Sequence, residues 1–216
     1  MVYRHSLIIG EKNMVTFVFV VLVLFLVPGP AVLLTISQTA RGGMKTGFIT
    51  GVGIAVGDLI HTLAAVLGLS AILMTSALAF EIVKYLGAAY LIFLGISAIL
   101  EKSKKKKPEV KRLKPGRTFR QAVLIELLNP KTALFFLAFL PQFVHENGTP
   151  VVFQLLVLGL TFVLMSIIYT TLLAFLTSSL GNRLFSKSGR FSQWQGKIVG
   201  TIYIGLALKL VFQQQK

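Results

Sequence analysis

The sequence predicts an all-α membrane protein of six transmembrane helices in two inverted three-helix halves, the first helix of each half being broken at proline. Hydrophobic residues make up 55% of the chain and charged residues only 13%, whereas soluble domains have roughly 25% charged residues. The apolar residues form runs close to the roughly 20 residues that a helix needs to cross hydrocarbon. Two runs contain prolines, at Pro28-Gly29-Pro30 and at Asn129-Pro130. Interrupted helices in corresponding positions of two halves are typical of inverted repeats.

The apolar runs define the boundaries of the predicted spans. They lie at residues 14–36, 46–72, 78–100, 121–141, 150–178 and 196–213. We interpret residues 1–216 as one transmembrane domain, with a first half at 14–100, a basic linker at 101–120 and a second half at 121–213. Three spans per half is an odd number, so the second half is predicted to lie upside down relative to the first. Met14 opens the first span directly, which makes it an alternative start to Met1.

Basic residues predict the orientation of the chain in the membrane. The odd-numbered links carry them, as Arg41 and Lys45, a dense run from Lys102 to Arg120, and Arg183, Lys187 and Arg190, whereas the second and fourth links carry none. Lys and Arg accumulate in cytoplasmic loops. The first, third and fifth links are therefore predicted inside, with both termini outside.

Composition excludes several classes of protein. The formal net charge is +15, but the excess lies in short links between apolar spans, so it indicates membrane topology and not a nucleic-acid surface. The chain has no cysteine, which excludes thiol catalysis and thiolate metal sites. It also has no HExxH motif and no Ser/His/Asp pattern. We therefore predict neither an enzyme nor a bound cofactor.

The first break is predicted to expose main-chain groups inside the membrane. A proline lacks the N–H group and crowds the carbonyl four residues earlier, so the carbonyls of Leu24 and Leu26 are expected to lose their helical partners. Gly29 lets the chain bend. Within lipid, such groups are tolerated only where protein or a water-filled cavity satisfies them. Pro28, Gly29 and Pro30 are therefore candidate substrate-binding residues.

The second span combines small residues with two titratable ones. Gly47, Gly51 and Ala55 recur at helical spacing and allow close helix packing. Asp58 follows on the same side and is predicted to point into the bundle, where an acid is costly unless it is hydrated, paired or protonated. We interpret it as a substrate or proton-coupling residue, a structural hydrogen bond being the alternative. His61 shares this side, as a proton relay or as a satisfied core imidazole.

The fourth span contains the second break. Pro130 frees the carbonyl of Glu126 and pushes Asn129 out of helical geometry. The half-helix from Lys131 then offers free N–H groups and the positive end of its dipole. Glu126 and Lys131 lie deep in the span, where they are expected to neutralise each other, to pair with Asp58 or to contact a substrate. Asn129, Pro130 and Lys131 are candidate substrate-binding residues, and Glu126 is a candidate for proton coupling.

Several motifs, in this order and at these distances, resemble one transporter family. They are Pro28-Gly29-Pro30, Arg41-Gly42-Gly43, Gly53 to Asp58, Lys84 to Gly95, and Leu128-Asn129-Pro130-Lys131. The chain resembles the lysine exporter superfamily, in its homoserine/threonine efflux branch (LysE/RhtB type), from Met14 to the end of the sixth span. Two positions depart from the pattern: Ala31 replaces a common asparagine, which removes one side-chain hydrogen bond to substrate, and Glu126 replaces a neutral polar residue.

The resemblance implies a bacterial inner-membrane exporter of amino acids or their derivatives, driven by proton exchange, in the lipid bilayer and with a homodimer as one assembly. On this hypothesis a zwitterionic amino acid binds between the two breaks. Its carboxylate lies near the amides at 31–32 and 131–132, and its ammonium faces Asp58 or Glu126. Protonation of Asp58 from outside then releases the cargo. The alternative is a metal-cation exporter of the same architecture, with Asp58, His61 and Glu126 as ligands.

Overall fold

The computed structural model describes residues 11–75, 114–145 and 149–184, together with single helical positions between 82 and 100 and between 197 and 208. The described residues are helical and contain no strand, which confirms the all-α class. Most of the predicted third and sixth spans and of the basic linker lies outside the described residues. The six-helix count, the inverted halves and the position of the termini therefore stay predictions.

The first break divides two helices as predicted. Helix α1 covers Glu11–Leu26 and helix α2 covers Pro30–Thr75. At about 1.5 Å per residue, the 16 residues of α1 extend roughly 24 Å, less than the roughly 30 Å of hydrocarbon. The first crossing therefore needs the start of α2 as well.

The link predicted between spans one and two contains a sharp turn. Two helical parts of α2 meet at Gly43, where φ is 74° and ψ is −175°, and Thr39 before the turn lies against Gly47 after it. Only glycine adopts this conformation without strain. The two helical parts extend beyond the predicted boundaries at residues 36 and 46, because polar residues there are packed inside the protein: Gln38 and Thr39 are each 1% exposed. Hydropathy marks the end of contact with lipid, whereas the helix continues beyond it.

The second half contains the other bent span. Helix α3 covers Pro115–Leu127 and helix α4 covers Pro130–Leu134. Helix α4 runs on as a π-helical segment, Phe135–Phe139, and a 3-10 segment, Leu140–Phe143. The two parts meet at 45° across the break. Helix α5 then covers Val151–Leu184.

Two helices in the described part of the chain are long and apolar enough to cross a membrane. They cover Pro30–Gly68 and Val151–Ser179, and the bent pair of α3 with Pro130–Phe143 makes a third if it is one span. Long apolar side chains such as Leu164, Ile168 and Leu172 are more than half exposed along α5. This exposure is expected where lipid, and not water, surrounds a helix.

Glycines bring α2 close to its neighbours on two sides. A side-chain carbon added at Gly51 would lie 2.6 Å from the Thr170 hydroxyl of α5, and one at Gly57 would lie 2.6 Å from the Glu126 Cβ of α3. Such contacts are too short for any residue with a side chain. Helix α2 is therefore the central element, and Asp58 lies where it passes both α3 and α5.

The interior differs between the two ends of the bundle. At one end Phe17 of α1 packs on Phe135 and Phe143, with ring centroids 6.2 and 5.2 Å apart. Phe139 stacks on Phe135, and we name these four residues the aromatic cluster. At the other end the Gln38 amide donates to Gln121 Oε1 at 3.1 Å. Gln38 and Gln121, with the buried Thr39 and Thr118, form the polar cluster.

Gly53 tests the close packing of α2 on α3. A methyl group there would meet the Phe119 carbonyl and the Ala122 Cβ, both at 2.7 Å, and the backbone oxygen has little room to move. We expect Gly53→Ala to lower the unfolding free energy in detergent by about 1–3 kcal/mol, measured by thermal unfolding.

Gly68 of the same helix is the matched control, because no atom lies within 4 Å of an added methyl group. Gly68→Ala is expected to leave the unfolding temperature unchanged or to raise it slightly. Equal unfolding temperatures for the two variants would contradict this packing.

Candidate functional site

The two breaks meet inside the protein. The Lys131 ammonium, from the start of α4, donates to the Val27 carbonyl at the end of α1, with a distance of 2.8 Å. Lys131 is only 8% exposed, and its stem lies in van der Waals contact with Gly29, 3.5 Å from where a Cβ would stand. The prediction that the interrupted helices lie next to each other is confirmed.

The main chain at the first break has different partners from those expected. The Leu24 carbonyl has no helical donor at Pro28, as predicted, but the Val27 amide donates to it at 3.3 Å. The carbonyl that the break makes available is that of Val27, which Lys131 uses. The first amide to bond back across the start of α2 belongs to Leu33, which donates to the Gly29 carbonyl. The amides of Ala31 and Val32 precede it, where a helix has no carbonyl to offer them.

Asn129 organises the second break. Its backbone is extended, with φ −77° and ψ 104°, as expected before a proline. Its side-chain oxygen accepts the Lys131 amide at 3.2 Å and so caps α4. Its side-chain amide donates to both carboxylate oxygens of Glu126, at 3.3 and 3.2 Å, and to the Thr132 hydroxyl at 3.1 Å. One buried side chain therefore holds both half-helices and the Glu126 carboxylate.

His61 binds the main chain of the same break. Its Nε2 atom donates to the Glu126 carbonyl at 3.1 Å, which also accepts the Asn129 amide. The carbonyl that Pro130 frees is thus satisfied. The His61 ring stacks on Phe136, with centroids 5.9 Å apart. Of the two roles considered for His61, this contact matches the satisfied core imidazole.

Asp58 is buried without a hydrogen bond to either carboxylate oxygen among the described residues. It is 1% exposed, as the sequence predicted. The Glu126 carboxyl and the Ser166 hydroxyl are its polar neighbours, although neither has hydrogen-bond geometry. Neither Glu126 nor Asp58 forms an ion pair with Lys131 within the described residues, so the pairings proposed from sequence are not found. A buried carboxylate without a donor is costly, which is expected where a ligand or a proton is to bind.

A cavity joins these groups. Its volume is about 30 Å³, which is room for roughly two water molecules. Its polar lining comes from Asp58, Glu126, Asn129, Lys131, Thr132, Ser166, Tyr169 and Thr170, and its apolar lining includes Leu24, Phe25, Val32, Ile54 and Phe162. Gly29 and Ala31 of the first break also line it. Both breaks therefore open onto one space.

Some predicted site residues do not face the cavity. Pro28, Pro30 and Pro130 interrupt the helices but are exposed and do not line it. Their contact with substrate stays a prediction. His61 is also outside the lining, and its contact with the cavity is indirect, through Glu126. The prolines interrupt the helices and free main-chain groups next to the cavity, whereas other residues line it.

Helix α5 forms one side of the cavity, which the sequence did not predict. Phe162, Ser166, Tyr169 and Thr170 line the cavity. They recur at helical spacing, which is the signal that marks one face of α5. The Thr170 hydroxyl donates to the Ser166 carbonyl at 2.7 Å, as hydroxyls in membrane helices often bond to their own helix. Such bonding does not prevent the same residues from facing a cavity.

The metal-exporter alternative depends on Asp58, His61 and Glu126 converging on one ion. No group of three or more His, Cys, Asp or Glu residues with that arrangement occurs in the described ranges. The imidazole of His61 is directed to the Glu126 main chain. The geometry therefore gives no support to this alternative.

The apolar helices and the buried ionisable groups at two helix breaks define a membrane transport protein. Comparison with known proteins agrees: residues 22–214 match the LysE type translocator family. The chain belongs to this family of transporters and is not an enzyme. The resemblance identified from its motifs is thereby confirmed.

Related proteins cover nearly the whole chain. An uncharacterized membrane protein of Pseudomonas aeruginosa is 32% identical, over 94% of this chain and 96% of its own length. Another from Bacillus subtilis is 30% identical, over 91% and 97%. A leucine efflux protein of Enterobacter sp. is 29% identical, over 93% and 96%. No solved structure matches the chain. The relatives are bacterial proteins, two of them named as membrane proteins, and a membrane location follows for this chain.

Substitution of Asn129 tests the organisation of the second break. Asn129→Ala removes the helix cap and both donors to Glu126. Loss of a cap alone costs about 0.5–2 kcal/mol, and the buried carboxylate would also lose its partner. We expect a clear drop in the unfolding temperature of the detergent-solubilised protein.

Asn129→Ser is the matched variant, because it keeps an oxygen for the cap but cannot span the gap to Glu126. Its unfolding temperature is expected to fall between those of the wild type and Asn129→Ala. If Asn129→Ala unfolds like the wild type, Asn129 does not hold the break together.

Proposed function

We propose that the protein exports amino acids or their derivatives across the bacterial inner membrane in exchange for protons. The observation that carries the proposal is the cavity in which both breaks meet Asp58, Glu126 and Lys131. A zwitterion needs partners for one positive and one negative group, and this cavity offers both. The leucine efflux proteins of Enterobacter sp. and Salmonella choleraesuis, 29% and 28% identical, support an amino acid as cargo.

The carboxylate of the cargo binds at the start of α2. The amides of Ala31 and Val32 precede the first helical hydrogen bond, and both residues line the cavity. Amides at a helix N-terminus attract anions. The Lys131 ammonium lies beside Gly29, just before these amides. It leaves the Val27 carbonyl to bind the cargo carboxylate, because a charged acceptor binds it more strongly. The Lys131 amide is already bound by Asn129, so the second half-helix contributes its ammonium and not that amide.

The ammonium of the cargo binds between the two carboxyls. Asp58 and Glu126 are neighbours with 1% and 2% exposure. Two buried anions repel each other strongly in a medium of low dielectric constant. A cation between them, whether a substrate ammonium or a proton, removes this repulsion. Substrate and proton therefore compete for one place, which is the requirement for exchange.

Asp58 is the residue that exchanges the proton. Glu126 accepts two hydrogen bonds from Asn129, and protonation would disturb both. Asp58 accepts none among the described residues, so it gains or loses a proton without breaking a hydrogen bond. His61 positions the Glu126 main chain and does not act as a relay.

Transport requires the cavity to open, because about 30 Å³ does not admit an amino acid. In the topology predicted from basic residues, the polar cluster lies toward the cytoplasm and the aromatic cluster toward the outside. Cargo enters along the polar cluster and leaves when the aromatic cluster parts. The π-helical turn Phe135–Phe139 supplies two members of that cluster, and π turns are frequent at functional sites.

Asp58→Asn tests the proton-coupling role. The amide cannot exchange a proton, so we expect export of leucine driven by a pH gradient to be lost in proteoliposomes. Exchange of labelled for unlabelled leucine in the absence of a gradient needs no net proton movement, and Glu126 and the new amide oxygen at position 58 still accept the ammonium, so exchange is expected to persist at a higher KM. Both rates are measured on one reconstituted preparation.

Ser178→Ala is the control, because Ser178 is exposed and lies outside the cavity. It is expected to retain both activities. Gradient-driven export that is unchanged in Asp58→Asn would refute the coupling role, and a wild type that moves no amino acid in either assay would refute the proposed function.

A further inference from the structure

Charged and aromatic side chains both line the cavity. The charged ones are Asp58, Glu126 and Lys131. Among the aromatic ones Phe25, from the last turn of α1, stacks on Tyr169 with centroids 5.1 Å apart and an interplanar angle of 24°. Phe25 also meets Phe162 edge to face, with centroids 5.2 Å apart. All three rings line the same cavity, so it is amphipathic.

The group of three rings contains no charged residue. Asp58, Glu126 and Lys131 are the charged residues among the described lining of the cavity. In the proposed binding mode the cargo carboxylate takes Lys131 and its ammonium lies between the two carboxyls, while Asn129 donates two hydrogen bonds to Glu126. A third charge on the cargo that lay among the rings would have no partner there, which costs several kcal/mol. The three rings are therefore suited to an uncharged, apolar side chain.

The three rings differ in how firmly they are held. Phe162 is 1% exposed and packs on Phe135 and Phe136, with centroids 5.1 and 4.9 Å away. Phe25 is only half-buried and lies two residues before Val27, whose carbonyl binds Lys131. Release of Lys131 to a cargo carboxylate frees the chain next to Phe25. Phe25 is thus the ring that is able to move when cargo enters.

We infer that Phe25, with Phe162 and Tyr169, forms the subsite for the side chain of the exported amino acid, and that Phe25 sets the upper limit on its size. This inference rests on the proposed export function and narrows its substrate class to α-amino acids with apolar side chains. The Phe25 ring occupies space that the side chain of the cargo takes over. Cargo of moderate size displaces the ring, and cargo with a large ring system does not fit beside it.

Phe25→Ala tests this subsite in proteoliposomes that contain the full-length chain. Export of labelled leucine, phenylalanine, tryptophan and lysine is measured separately. We expect the wild type to export leucine and to export lysine poorly. Because one or two methylene groups change selectivity by about tenfold or more, the ratio of tryptophan to leucine export is expected to rise at least tenfold in Phe25→Ala.

Phe19→Ala is the matched control, because Phe19 lies on the same helix with 57% of its surface exposed. Its tryptophan-to-leucine ratio is expected to equal that of the wild type. Should Phe25→Ala fail to reach the membrane, Phe25→Leu takes its place, with a rise in the same ratio as the expected result.

The outcomes separate the subsite from the export function. If the wild type exports leucine but Phe25→Ala and Phe25→Leu change leucine and tryptophan export by equal factors, Phe25 does not set the size limit and the exporter assignment stands. If the wild type exports lysine as fast as leucine, the apolar substrate class is wrong. If it exports none of the four amino acids, both the export function and this inference fail.

Discussion

A hydrogen bond from the Lys131 ammonium to the Val27 carbonyl joins the two interrupted helices, and the rest of the site depends on it. Main-chain groups that a break exposes inside a membrane must find partners in the protein or in a wet cavity. Here a side chain from elsewhere in the fold donates a hydrogen bond to a carbonyl at each break. Lys131 donates to the Val27 carbonyl at the first break, and His61 donates to the Glu126 carbonyl at the second. The breaks therefore cannot move apart without new partners, which is why they enclose one cavity.

In the proposed function the same hydrogen bond links binding to movement. Lys131 would hold the end of α1 only until a cargo carboxylate arrives, because a carboxylate is a better acceptor than a neutral carbonyl. The group proposed to recognise the cargo is thus the group that fixes the closed arrangement. A ligand shifts a conformational equilibrium only through such differential contacts. The two ends of the bundle, one polar and one aromatic, then determine on which side an opening is most easily made.

Much of the site was predictable from the sequence, because charged residues and prolines raise the free energy of a membrane-spanning helix unless the fold provides partners for them. This cost explains why the burial of Asp58 and the approach of the two breaks follow from the sequence. The wall from α5 was not predicted, since Ser166 and Tyr169 are unremarkable in a membrane helix and their inward orientation depends on tertiary packing. The helical turns past Gln38, up to the break at Gly43, were also missed, because hydropathy cannot distinguish a polar residue in a loop from one buried between helices. The six spans and inverted halves stay predictions from the sequence.

Cross-linking between the breaks tests the central claim most directly, and the absence of native cysteine makes it specific. Cysteines replace Gly29 and Thr132, which line the same cavity, and a protease site is inserted in the basic linker at 101–120. Membranes are treated with a short bifunctional thiol reagent and then with the protease, which separates the two halves unless they are cross-linked. We expect the two halves to stay cross-linked in membranes for this pair. We expect no cross-link between the halves for cysteines at Gly29 and Val144, since Val144 lies roughly 18 Å beyond Thr132 along the second half-helix. Separation of the halves for the first pair, or equal joining for both pairs, would contradict a site formed where the two broken helices meet.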